Sequence, residues 1–120
     1  MNEVYFFDAY ALIEILKQNP VYKPFANIKF VTTRLNLFEV YHKLLTDHGK
    51  ETADPFLENY YPYARPLDRK TLRAAAHLKL RKKKLTVNDC IGYALAQRLS
   101  IPFLTGDSTF QGMEGVEYVK

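Results

Sequence analysis

The 120-residue chain has little of what usually staples a small protein or carries covalent catalysis. Its one cysteine, Cys90, excludes an internal disulfide framework, and with only three scattered histidines (His42, His48, His77) it leaves no ligand set for a structural zinc ion. Two serines, Ser100 and Ser108, without a nucleophile-elbow glycine pattern give no support to serine hydrolase chemistry. No glycine-rich loop precedes a Lys-Ser/Thr pair, which argues against a nucleotide phosphate loop. No apolar run approaches the ~20 residues of a membrane span. The opening MNEVYFFDAYALIEIL passes from acidic Glu3 into an apolar stretch holding Asp8 and Glu14, without the basic segment and small-residue cleavage site of a signal peptide. These absences together predict a cytoplasmic protein with no membrane association.

What is present is a chain 48% hydrophobic, of a size to bury one core, so residues 1–120 are expected to form a single domain. The formal charge is +4, and the excess is uneven: Arg69, Lys70, Arg73, Lys79, Arg81, Lys82, Lys83 and Lys84 crowd one stretch. Such a patch suits a polyanion, though a solvated lysine-rich helix face has the same composition.

Periodicity divides the chain into alternating strands and helices. VYFF, residues 4–7, is a short β-prone run, followed by AYALIEILKQ with Leu12, Ile13 and Leu16 at helical spacing until Asn19-Pro20. KFVT, residues 29–32, is a second strand candidate, and LNLFEVYHKLLTDHG places Leu37, Val40, Tyr41, Leu44 and Leu45 on one helical face before Gly49. A helix is predicted over residues 51–61 and a brief extended piece over 64–67. Asp68 caps a helix expected to run to about Lys84, and Thr86 starts another, VNDCIGYALAQRL. IPFLT, residues 101–105, and residues 116–119 complete the strands. This alternation implies an α/β fold with a parallel sheet between helices, whose ligands bind beyond the carboxyl ends of the strands.

The acids fall at that edge. Asp8 directly follows VYFF, and Asp107 follows IPFLT by one glycine. Glu39 and Asp89 lie near the starts of two helices. Each has a plain structural use: Asp8 as an N-cap, Asp89 as the last member of a Thr86-x-x-Asp89 capping box, Glu39 in a similar Asn36-x-x-Glu39 pattern. As a set they require more, because ionised carboxylates set among core residues are costly without a compensating cation, hydrogen bond or proton. Oxygen ligands without His or Cys favour Mg2+ or Mn2+, which bind phosphate oxygens and activate water for phosphodiester hydrolysis. Cys90 reads as a small buried hydrophobe, and His42 and His48 as surface or capping residues.

The segments FFDAYALIEIL, TRLNLFEVYHKL and LTVNDCIGYALAQRLSIPFLTGDSTF, with the final GVEYV, resemble the PIN-domain nucleases over essentially the whole chain, and in particular the VapC-type toxins of prokaryotic toxin–antitoxin pairs. The resemblance implies a three-layer PIN-like domain with a central parallel sheet of four or five strands flanked by helices. It further implies Mg2+- or Mn2+-dependent endoribonuclease activity, a homodimer, and a cognate antitoxin whose tail blocks the cleft. Carried over by position, the catalytic and metal-binding acids are Asp8, Glu39, Asp89 and Asp107, with Thr105 the hydroxyl supporting the fourth. Two positions depart from the pattern: Ala9 stands where many relatives have Ser or Thr, and Thr109 where many have a further Asp.

Residues Arg81, Lys82, Lys83 and Lys84 are candidate RNA-phosphate contacts if their helix enters the site at its carboxyl end. Phe56, Tyr60, Tyr61 and Tyr63 either stack bases or pack into core and interfaces. The competing readings are a non-catalytic PIN-like module that binds RNA or protein, and an RNA-processing nuclease without a toxin role.

Overall fold

The computed structural model describes residues 4–120, so the acidic start at Glu3 lies outside the described residues. Strand β1 (Val4–Phe7) leads into helix α1 (Ala9–Leu16), a 3-10 helix (Pro20–Phe25) and strand β2 (Lys29–Val31). Helices α2 (Arg34–His48), α3 (Lys50–Tyr60) and α4 (Arg69–Arg81) follow, then α5 (Val87–Arg98) and strands β3 (Phe103–Thr105) and β4 (Val116–Tyr118). Among the described residues the strands form one sheet in the order β2-β1-β3-β4, every pairing parallel. The three-layer α/β arrangement is the expected one.

Strand β1 is hydrogen-bonded on both sides, which explains why VYFF lacks polar alternation: both faces of a parallel sheet are covered by helices. Phe6 packs with Ala75 and Leu78 of α4, Ile91 of α5 and Phe103. Tyr5 and Phe7 face the other way, with Leu12, Leu37, Val40 and Phe56 from α1, α2 and α3. Burying a ring such as Phe6 completely contributes roughly 1.5–3 kcal/mol. Helix α5 lies close on the sheet because Gly92 has no side chain; a Cβ there would stand 3.0 Å from the Phe6 ring. Among the described residues no helix is long and apolar enough to cross a membrane.

Two local expectations are corrected. Helix α2 begins at Arg34, two residues before Asn36, because Thr33 is its N-cap and accepts from Asn36 N at 3.1 Å; Asn36-x-x-Glu39 is not a capping box. Helix α4 stops at Arg81 and does not reach Lys84. There the Lys79 ammonium donates to the carbonyls of Lys83 (2.8 Å) and Leu85 (2.7 Å), and Leu85 is drawn into the core, which folds the intervening lysines into a turn.

Candidate active site at the carboxyl edge of the sheet

Strand β1 delivers Asp8 to the sheet edge, where it is both buried, at 6% exposure, and the N-cap of α1, accepting from Ala11 N at 2.9 Å. Its carboxyl is pushed up to about 7, first by burial, and the neighbouring charges of Asp89 and Asp107 add to the rise; hydrogen bonds from the Thr105 hydroxyl and Ala11 N–H oppose it. Thr105, at the end of β3, is fully buried and its Oγ1 also accepts from Asp107 N at 3.0 Å. One hydroxyl therefore joins two of the acids.

Asp107 caps the short 3-10 helix Ser108–Phe110, its Oδ1 accepting from Thr109 N (3.0 Å) and Thr109 Oγ1 (2.8 Å). The chain reaches it through Gly106, where a Cβ would come within 2.5 Å of Val119 O and would overlap the Tyr10 ring. Asp89 completes the capping box of α5: Thr86 N donates to its Oδ2 at 3.0 Å, and Asp89 N donates to Thr86 Oγ1 at 3.1 Å. Burial raises its carboxyl, opposed by the Thr86 hydrogen bonds, and the charge of Asp107 adds to the rise. Asp8, Asp89 and Asp107 thus share one electrostatic neighbourhood. Glu39 stands outside on the exposed rim, where Asn88 Nδ2 donates to its Oε1 at 2.6 Å and links α2 to α5.

Capping and metal binding do not exclude each other here. Asp89 and Asp107 each engage one carboxylate oxygen in their caps and keep a second, and an all-oxygen donor set suits a hard divalent cation. Among the described residues no group of three or more His, Cys, Asp or Glu side chains is gathered as a ready ligand set.

Sequence reasoning missed the residues that hold this edge together. Asn36 is buried, its Oδ1 accepting from Ala9 N at 3.2 Å and its Nδ2 donating to Thr33 Oγ1 at 3.1 Å, so the start of α2 is tied to the peptide after Asp8. The Thr32 hydroxyl donates to Phe7 O at 2.8 Å. A polar residue inside LNLF was the available signal, but its partner lies 27 residues away. Beside Asp107, residues Arg81, Lys82, Lys83 and Lys84 line a cavity of about 560 Å³ together with Ser108 and Thr109.

A family model covers nearly the whole of this sheet and its helices: the PIN domain model matches residues 5–116, a span that includes all four acids. The chain belongs to the PIN domain family. A search of curated proteins finds no match by sequence. Among solved structures, this PIN domain is similar to a toxin–antitoxin complex from Klebsiella pneumoniae at 19% identity and TM-score 0.75, with 93% of this chain and 94% of that one covered. It is similar also to VapBC2 from Rickettsia felis bound to a DNA fragment from its promoter, at 14% identity and TM-score 0.73, covering 98% and 99%. A third is VapBC-5, a member of the VapBC family of toxin-antitoxin systems from Mycobacterium tuberculosis, at 19% identity and TM-score 0.68, covering 99% of both chains. At these identities the likeness is one of fold.

Proposed function

We propose that this PIN domain, acting as one nuclease unit, is a divalent-metal-dependent endoribonuclease and the toxin of a VapBC-type pair in the cytoplasm. The carrying observation is that Asp8 is buried at a sheet edge that also contains the Thr105 hydroxyl, with the charges of Asp89 and Asp107 close enough to push its carboxyl further up. A buried carboxylate beside two others, with no basic group acting on it, favours a cation.

Asp8, Asp89 and Asp107 would hold Mg2+ or Mn2+, with Glu39 at the rim holding a second ion or orienting water; when bound, the metal supplies an activated water and neutralises phosphate charge. Thr105 fixes Asp8 relative to Asp107. Asn36 fixes the Asp8–Ala9 peptide, which supports the edge where Ala9 lacks a hydroxyl. Arg81, Lys82, Lys83 and Lys84 contact RNA phosphates beside Ser108 and Thr109, supported by their shared cavity.

The proposed partners are a second copy of the chain and an antitoxin. An apolar groove of about 430 Å³ between α1, α2 and α3, walled by Ile13, Leu16, Val40, Leu44 and Phe56, suits an amphipathic antitoxin segment. One observation favours the alternative of a non-catalytic binding module: Asp89 and Asp107 both have complete capping roles.

Cleavage of structured and single-stranded RNAs in Mg2+ or Mn2+, by the protein and its folded Asp8→Asn and Asp89→Asn variants, separates the two. Loss of cleavage in both variants supports the nuclease; equal background in all three supports the module. Replacing residues 81–84 by Ala is expected to flatten the salt dependence of RNA binding.

A further inference from the structure

Three aromatic rings form a column that starts beside the acids and ends at the surface. Phe7 and Phe30 stack with centroids 4.5 Å apart and planes 3° apart, and Phe30 and Tyr63 stack at 4.5 Å and 17°. Phe7, the residue before Asp8, is buried, whereas Tyr63 is 45% exposed. The backbone fixes the outer ring: Thr32 N donates to Tyr63 O at 3.0 Å and Arg65 N donates to Thr32 O at 2.8 Å, an isolated parallel bridge along the end of β2. Next to it Tyr61 is 50% exposed, with the Arg34 guanidinium 5.7 Å from its ring centre.

This patch continues the carboxyl edge. Arg34 opens α2 two positions before Asn36, the residue bonded to Ala9 N. It therefore flanks the acids on the β2 side, while residues 81–84 flank them on the β3 side through Ser108 and Thr109. Its chemistry is specific: Tyr61, Tyr63, Arg34 and the exposed Arg65 carry two positive charges and no negative one. Aromatic faces beside guanidinium groups suit unstacked nucleobases and their phosphates. A ring already held from below by stacking loses little freedom when a base settles on it.

We propose that Tyr61, Tyr63 and Arg34 form a base-stacking subsite, so that single-stranded RNA crosses the carboxyl edge from this patch, over the acids, to the basic turn. The proposal rests on the ribonuclease reading for its substrate and on the aromatic column for its geometry.

The test is fluorescence anisotropy in EDTA, which prevents cleavage, using a short labelled single-stranded RNA and a strand of equal length carrying abasic positions. Wild type should favour the base-bearing strand. Tyr61→Ala/Tyr63→Ala should bind that strand about 5- to 100-fold more weakly, in line with base–aromatic stacking, and lose the preference over the abasic strand. Tyr63→Phe, which keeps the ring, should restore the preference. In metal the double variant should raise KM more than it lowers kcat. An unchanged base-bearing to abasic ratio in the double variant overturns the subsite, as does a changed oligomeric state with unchanged RNA affinity, which marks a protein interface. Asp8→Asn separates the two readings: undiminished cleavage by that variant overturns the nuclease mechanism alone, whereas a wild type that binds neither strand overturns both.

Discussion

Asp8 and Asp68 do the same work in two helices and meet opposite fates. Each is the N-cap of its helix, and each accepts a hydrogen bond at 2.9 Å from the N–H three residues on, that of Ala11 or Thr71. Burial pushes the Asp8 carboxyl up to about 7, with Asp89 and Asp107 adding repulsion. Arg98 instead holds the exposed Asp68 carboxyl well below the usual range. Capping explains an aspartate at both places. It does not explain burying one of them among other carboxylates with no basic partner, and that excess marks the candidate site.

The largest expected effect breaks the pair at its chemistry. Asn is as good an N-cap as Asp, so Asp8→Asn and Asp68→Asn should both fold. Cleavage of a susceptible RNA should fall at least about a hundredfold in Asp8→Asn, as for loss of a group that stabilises transition-state charge. Asp68→Asn should cut near the wild-type rate. Equal losses in the two variants would show that the cap, and not its surroundings, matters.

Gly106→Ala comes next, because it disturbs the partner of Asp8 without touching a carboxylate. A Cβ would meet Val119 O and the Tyr10 ring, and backbone cannot yield as a flexible side chain can. Overpacking of this kind costs about 1–3 kcal/mol. Cleavage per folded molecule should also fall, since the turn carrying Asp107 must shift. A thermal melt paired with a cleavage assay checks both parts.

Local pattern was enough to place Asp8, Asp89 and Asp107, because each follows a strand or begins a helix whose hydrophobic periodicity is plain. Asn36 and Glu39 form no capping box because the helix already starts from Thr33, and the Asn36 side chain is turned to Ala9 N and Thr33 Oγ1. The end of α4 was misplaced for a different reason: the stop comes from the tail of Lys79 reaching forward to two carbonyls, which has no periodic signature. Asn36 bonding Ala9, Asn88 bonding Glu39, and Tyr10 packing over Gly106 join distant segments, and no local window contains them. The short 3-10 helix at Pro20–Phe25 was missed between a helix stop and the next strand.

Titration sharpens the comparison further. Because the folded-state value of Asp8 is raised from 3.8 to about 7, the folded chain binds more protons than the unfolded one across that interval. Asp8 therefore destabilises increasingly as pH rises from about 4 to about 7, by at most roughly 4 kcal/mol. In metal-free buffer, Asp8→Asn should remove this slope and melt higher than wild type at pH above 7. Added Mg2+ or Mn2+ should raise the wild-type Tm more than that of the variant, since a ligand stabilises only the state that binds it. A variant that melts no higher at alkaline pH would refute the burial cost assigned to Asp8.

The smallest effect belongs to Asp68, whose lowered carboxyl works with the opposite sign: its stabilisation is present above the ordinary carboxylate range and is lost as pH falls through the folded value. Arg98 donates to Asp68 Oδ1 at 2.5 Å and to Thr71 Oγ1 at 2.9 Å, tying the start of α4 to the end of α5, yet the Asp68 side chain is more than half exposed. Exposed pairs contribute little and are screened by salt. Asp68→Asn, which keeps the cap, should lower Tm slightly in dilute buffer and converge on wild type in concentrated salt. Asp68→Ala, which loses both cap and pair, should stay lower in either. Failure of Asp68→Asn to converge would mean that the Arg98 pair is not what distinguishes this cap, and the contrast with Asp8 would then rest on burial alone.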